Sequence, residues 1–325
     1  MSYKHFNKYD RVRLEAYLKG GLAYRKIALL LGYSIGAISY EVNENGGMGN
    51  YDAAKANQKA KKKRKDANQC HRKIGKDDWL TNEVVRLLKK HWSPEQIVGR
   101  LLKEKRIKPT SVTAIYDWCN QDKSLYTLLP RRHNKYRRTK AGNDRKKIRE
   151  EIDIRKSIDI RPDHIEKRKR IGHWEGDTII GKERTARILT HVERKTGYLL
   201  ANLLYDVTAE KIRIKSIKMF QNVPSNKKKS VTYDRGTEFA DWELTEKQLG
   251  ANIYFAHAYH SWERGTNENT NGLIRRYFPK KTLFANIKEV ELEQIVDEIN
   301  HRPRKRLGYK SPYEVFNDVQ LRTLM

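Results

Sequence analysis

Cysteine is nearly absent from this chain, with only Cys70 and Cys119 among 325 residues. A disulfide framework is excluded, and Cys70-His71, His91 and Cys119 lack the paired spacing of a zinc module. No apolar run approaches the roughly 18 residues that a membrane-spanning helix needs, and no signal peptide or lipidation motif is present, so a cytoplasmic chain is expected. Also missing are Gly-x-Ser-x-Gly, a P-loop and a Cys/His pair with catalytic spacing, which leaves no side-chain nucleophile in view. Negative charge is scarce, with 40 Asp and Glu against 69 Lys and Arg, a net charge of +29.

That surplus is uneven. Residues 1–170 carry 43 basic against 20 acidic side chains, and residues 171–325 carry 26 against 20. The front half therefore reads as a grip on a polyanion, while the rear half is nearly balanced by its own acids. Within residues 1–50, Leu14, Tyr17 and Leu18 stripe one helix, and Ile27, Leu30 and Leu31 stripe a second that Gly32 stops. Ser34 caps a third helix whose buried face is Ile35, Ile38 and Val42. Two helices across a tight glycine turn spell a helix-turn-helix DNA-binding domain, with Ala37, Ser39, Tyr40 and Asn43 of the last helix facing the groove. A small helical bundle without a DNA role is the alternative. Residues 51–78 read as a basic linker centred on KKKRK, either a solvated run or a track for phosphates.

Residues 79–125 repeat the helical pattern as a second helix-turn-helix domain. Val84, Leu87 and Leu88 stripe one helix, and Ser93-Pro94-Glu95-Gln96 supplies a cap, a proline at the first position and a capping-box glutamine for the next. Ser111 caps a third, with Val112, Ile115, Tyr116 and Cys119 inward. Residues 126–170 form a basic connector without apolar periodicity.

From residue 171 to 325 the pattern changes to a mixed α/β domain. Strands at 173–181, 186–193 and 198–205 suggest an antiparallel meander. Helix 209–222, strand 230–234, helix 238–248, strand 251–256 and helix 265–278 follow, the order of an RNase H-like mixed sheet. Asp177 in GHWEGDT and Asp234 in TYDRGTEF are strand-borne, and Glu268 sits on a helix sharing a face with Gly272 and Arg275. Acids converging in this way bind a pair of hard divalent cations that can direct phosphoryl transfer. His173 and Glu175 point to the same face as Asp177, Glu175 being better suited to pairing with a basic residue than to binding metal. Gly236 is expected to take an unusual backbone angle, and Glu238 to support the following helix. His257, His260 and Trp262 fall near the acids, with proton transfer, phosphate contact or packing as their open roles. Arg275 and Arg276 are candidates for the scissile strand, and Arg302 and Arg304 for a basic turn that holds a DNA strand, with a purely structural closing segment as the alternative. A tail helix at 289–302 presents Val290, Ile295, Val296 and Ile299, and Ser311-Pro312-Tyr313-Glu314 opens a capped last helix.

GHWEGDT, the interval between Asp234 and Glu268, HSWERGTNENTNGLIRRYFPK and NHRPRKRLGYKSPYEVF resemble the insertion-sequence transposases of the DDE type, specifically the IS-thirty group, over nearly the whole chain. The resemblance implies an RNase H-like, integrase-core catalytic domain with Asp177, Asp234 and Glu268 as its catalytic and metal-binding triad. It further implies two Mg²⁺ ions, replaceable by Mn²⁺, and double-stranded DNA partners, namely terminal inverted repeats and target DNA. A dimer or larger assembly on DNA, within a bacterial nucleoid, completes the expectation. Departures occur at Tyr40 and Glu44, where similar proteins usually carry arginines, and at Arg235, where many related enzymes have Asn. The competing readings are a catalytically inactive helix-turn-helix regulator, or a related integrase or nuclease.

Overall fold

A computed structural model describes residues 5–70, 73–104, 110–130, 155–258 and 260–319. The chain divides into two units, Met1–Thr81 and Asn82–Met325. In the first, α1 (Lys8–Lys19), α2 (Tyr24–Leu31) and α3 (Ile35–Glu44) close around Leu14, Ile27, Ile38 and Val42, all fully buried. Gly32 ends α2 in the left-handed region (φ +68°), and Ser34 Oγ accepts a hydrogen bond from Ala37 N at 3.2 Å to start α3. Leu30 and Ile35, expected inside, are instead 51% and 49% exposed, because a core this small closes on a single stripe of each helix. Of the groove-facing candidates, Tyr40 and Asn43 are exposed, Ser39 is half-buried beside Asn43, and Ala37 packs partly against the core.

The basic run read as a linker is helical over most of its length. It is the helix α4 (Ala53–Cys70), capped by Asp52 Oδ1 accepting from Ala54 N and Lys55 N, with Tyr51, Ala53 and Ala56 joining the core. Its alanines, glutamines and lysines are strong helix formers, a signal that the charge run obscured. Lys63 Nζ lies 2.8 Å from Glu44 Oε2, so the acid at the end of α3 is matched by α4.

α5 (Asp78–Lys89), in which the division falls, leads to α6 (Pro94–Glu104), α7 (Val112–Cys119) and α8 (Lys123–Leu128). The caps predicted at Ser93 and Ser111 form: Ser93 N donates to Gln96 Oε1 at 2.9 Å, and Ala114 N to Ser111 Oγ at 3.0 Å. After α9 (Asp163–Glu166) come β1 (His173–Ile180), β2 (Arg187–Glu193), β3 (Leu199–Leu204), α10 (Ala209–Phe220), β4 (Ser230–Tyr233), α11 (Trp242–Leu249), β5 (Asn252–Phe255), α12 (Gly265–Tyr277), α13 (Glu289–His301) and α14 (Pro312–Phe316). The sheet order is β3-β2-β1-β4-β5 with β2 alone antiparallel, an RNase H-like mixed sheet. Trp174, Ile212, Phe220, Trp242 and Phe255 build one core; Ile188, Leu203, Ile274, Leu292 and Ile299 build the other. On α13, Leu292 takes the inward position expected of Val290, which is 61% exposed.

Two segments attach to the second unit by polar contacts. Residues 155–161 line the β5 edge: Phe255 N donates to Lys156 O at 2.8 Å, and Arg161 donates to Thr232 Oγ1 at 3.0 Å. α6 docks on the C-terminal segment, where Arg100 makes two 2.8 Å bonds to Glu314 and Gln96 Nε2 donates to Pro303 O. Gly99 leaves room for the Tyr309 ring, whose atoms would lie 2.3 Å from a Cβ at that position.

Candidate active site

β1 and β4 are parallel neighbours with Glu175 opposite Thr232, and continuing that register by two residues brings Asp177 level with Asp234. Asp177 on β1 and Asp234, which is expected on a strand but follows the last residue of β4, therefore present neighbouring carboxylates, and one cation joins them. Arg264, just before α12, lies 3.3 Å from Asp177 Oδ1 and 3.1 Å from Asp234 Oδ2, and it also donates to Gly176 O. Burial raises the Asp177 carboxyl above its ordinary value; Arg264 opposes that shift and the neighbouring Asp234 adds to it. Asp177 is further held by Thr178 N and by Asn271 Nδ2, each donating at 2.9 Å, and Asp234 Oδ1 accepts from Gly236 N at 3.1 Å.

Gly236 is ordinary extended backbone (φ −60°), not the unusual angle expected of it. Space is the reason for glycine there, since a Cβ would meet Glu238 at 2.3 Å and Asp234 Oδ1 at 3.0 Å. Glu238 bonds Arg187 at 2.9 Å, supporting β2 rather than the aspartates.

α12 is fastened to β1 by asparagines one turn apart. Asn267, fully buried, donates from N to Glu175 Oε2 at 2.9 Å and from Nδ2 to Glu175 O at 3.2 Å, while Asn271 reaches Asp177. Thr190 Oγ1 bonds both, at 3.1 and 3.2 Å. Glu268 stands between these anchors in the first turn, exposed, with no hydrogen bond or ion pair from its side chain among the described residues. The three acids do not bring one oxygen each within 4.8 Å of the others among the described residues. Carboxylates facing a common cation are nonetheless the donor set that a hard divalent ion takes.

Glu175 is committed elsewhere. Its Oε1 lies 3.0 Å from Arg194 Nε, a charge contact whose angle falls short of a hydrogen bond, between side chains 0% and 1% exposed. His173 Nδ1 pairs with Ser230 Oγ at 2.8 Å. Arg275 donates to Ile180 O at 2.7 Å and lies over the Phe284 ring. Arg276 follows it on α12, and its charge is felt at Arg302 and Arg304. Arg302 does not face a groove. It is 3% exposed and donates to Gln96 Oε1 at 2.9 Å, and burial foremost, then Arg304 and Arg276, pushes its pKa down to about 9. Arg304 donates to Ile299 O at 3.2 Å. Sequence reasoning missed Arg264, Asn267 and Asn271; asparagines at i and i+4 astride an acid were the available signal.

No family model matches the chain. It is 34% identical to the transposase for insertion sequence element IS4351 of Bacteroides fragilis, covering 97% of this chain and 96% of that one. Transposase InsI for IS30A of Escherichia coli (strain K12) is also 34% identical, over 96% of this chain and 83% of its own. A chain of the simian T-cell lymphotropic virus intasome in complex with PP2A regulatory subunit B56 gamma has 19% identity and a TM-score of 0.39, over 46% of this chain and 56% of its own. Full-length likeness of this order defines a transposase. The chain belongs to the transposases of IS30-type insertion sequences.

Proposed function

We propose that this transposase binds the terminal inverted repeats of its element through its basic N-terminal helices, and cuts and joins DNA at Asp177, Asp234 and Glu268 with two Mg²⁺ ions. The observation that carries the reading is the meeting of Asp177 and Asp234 on one cationic group, beside a helix that carries Glu268 and is anchored to the same strand. Magnesium would supply a polarised phosphate and an activated water there, without a side-chain nucleophile. The protein's own part is to hold the two aspartates in register and to orient α12 through Asn267 and Asn271. Arg264 neutralises the aspartate pair until the metal competes for it. A dimer or larger assembly on DNA follows from the need to pair two element ends.

The test uses full-length protein and a duplex carrying the element's end. Nicking that exposes a 3′-hydroxyl, followed by joining to target DNA, is expected in Mg²⁺ and not in chelator, with binding retained in both. The second reading is a DNA-binding regulator without catalysis, in which Arg264 holds the place of metal between the aspartates. Tight binding with no product in Mg²⁺ or Mn²⁺ would select it.

Arg264→Gln is expected to tighten Mn²⁺ binding roughly tenfold, the factor worth about 1.4 kcal/mol, by removing a competing cation. Calorimetric titration reads this directly, and an unchanged or weaker affinity would mean that Arg264 does not compete with metal.

A further inference from the structure

We propose that His257, His260 and Glu263 bind one transition-metal ion of the zinc type, distinct from ions at the aspartates, which ties down the loop preceding α12. One ligand atom from each of the three lies within 4.8 Å of the others. Glu263 Oε1 is 2.8 Å from His257 Nδ1 and 3.3 Å from His260 Nδ1. Ligands about 2.0–2.1 Å from a tetrahedral zinc are separated by about 3.3 Å, so the two edges that meet at Glu263 are already near those of such a site. Imidazole nitrogens suit zinc-type ions better than magnesium, which prefers oxygen.

The support around these ligands points the same way. A metal-bound histidine ordinarily passes its other ring N–H to a carboxylate, which fixes the tautomer and the ring plane. His257 Nε2 lies 2.9 Å from Asp159 Oδ2 and so completes that chain. Glu263 Oε2 is held by His257 N at 2.8 Å, which aims Oε1 at both rings. His260 is oriented by stacking on Trp262, ring centroids 4.4 Å apart. The three ligands are partly exposed, so an ion can enter from solvent and water can complete the coordination. The next residue is Arg264, which grips Asp177 and Asp234. An ion here would therefore fix the loop that delivers Arg264 and the first turn of α12.

Full-length protein is stripped with chelator, then dialysed against micromolar zinc chloride with millimolar Mg²⁺ present. A single zinc per chain is expected to remain, together with a rise in Tm on zinc addition. The double variant Asp177→Asn, Asp234→Asn should keep that zinc, while His260→Ala and Glu263→Gln should weaken its binding by about tenfold or more. Cobalt in its place should give the visible absorption of a four-coordinate ion, lost in the same two variants. Circular dichroism of the zinc-free variants separates lost binding from lost folding. No zinc retained by the wild-type chain, retention unchanged in folded His260→Ala and Glu263→Gln, or loss confined to the aspartate variant would each overturn the proposal.

Discussion

Asp177→Asn should lower Mg²⁺-dependent strand cleavage and strand transfer by a factor on the order of 10³ or more, with terminal-repeat binding little changed. The substitution keeps the side-chain volume and an oxygen for Thr178 N, but removes the charge that a divalent ion needs. Its folding consequence has the opposite direction. The carboxyl of Asp177 is raised above its ordinary value by burial, so folding disfavours its ionised form. That penalty is absent below the unfolded-state pKa and fully present above the folded one. At neutral pH the Asn variant should therefore have a Tm equal to or above wild type, and the difference should shrink as pH falls through the folded pKa of Asp177. Loss of activity with a lowered Tm would indicate structural damage, and wild-type strand transfer would rule out Asp177 as a ligand of the proposed metal pair. Asp234→Asn should behave alike in activity.

Glu175→Ala should have the largest effect on stability, a loss of about 3–5 kcal/mol, because it strands Arg194 without its partner inside the protein. Both side chains are at most 1% exposed, and among the described residues Arg194 retains only Glu166, at 2.9 Å, as a carboxylate partner. Asn267 N loses its acceptor as well, loosening the turn that carries Glu268. Glu175→Gln keeps an oxygen for Asn267 and should cost less, about 1–3 kcal/mol. Denaturant midpoints at unchanged m measure both losses. A loss below about 1 kcal/mol for the Ala variant would show that the Arg194 charge finds solvent or another partner.

The α/β part of the second unit was largely legible because its elements follow simple periods. β1, β2, β3, β4 and β5 fall within the strands expected, and α12 runs Gly265–Tyr277 where 265–278 was expected. The capping box at Ser311 and Glu314 was spelled by local chemistry alone, and both of its bonds form, at 2.7 and 3.2 Å. What escaped was held by contacts between segments remote in sequence. Residues 155–161 carry no apolar rhythm, yet they line a sheet edge through backbone and charged groups. Arg302 looked like a surface cation because nothing near it in sequence reveals that α6 covers it. Arg264 was invisible for the same reason, since its partners lie 30 and 87 positions away.

The bond between Arg100 and Glu314 spans 214 positions. At about 5–20 residues per second, a ribosome needs roughly 10–40 s to travel that far, so α6 emerges long before its docking partner exists. The first unit has no such wait, because links such as Arg11 to Glu41 span only 30 positions. Its helices can fold while the rest of the polypeptide is still being translated.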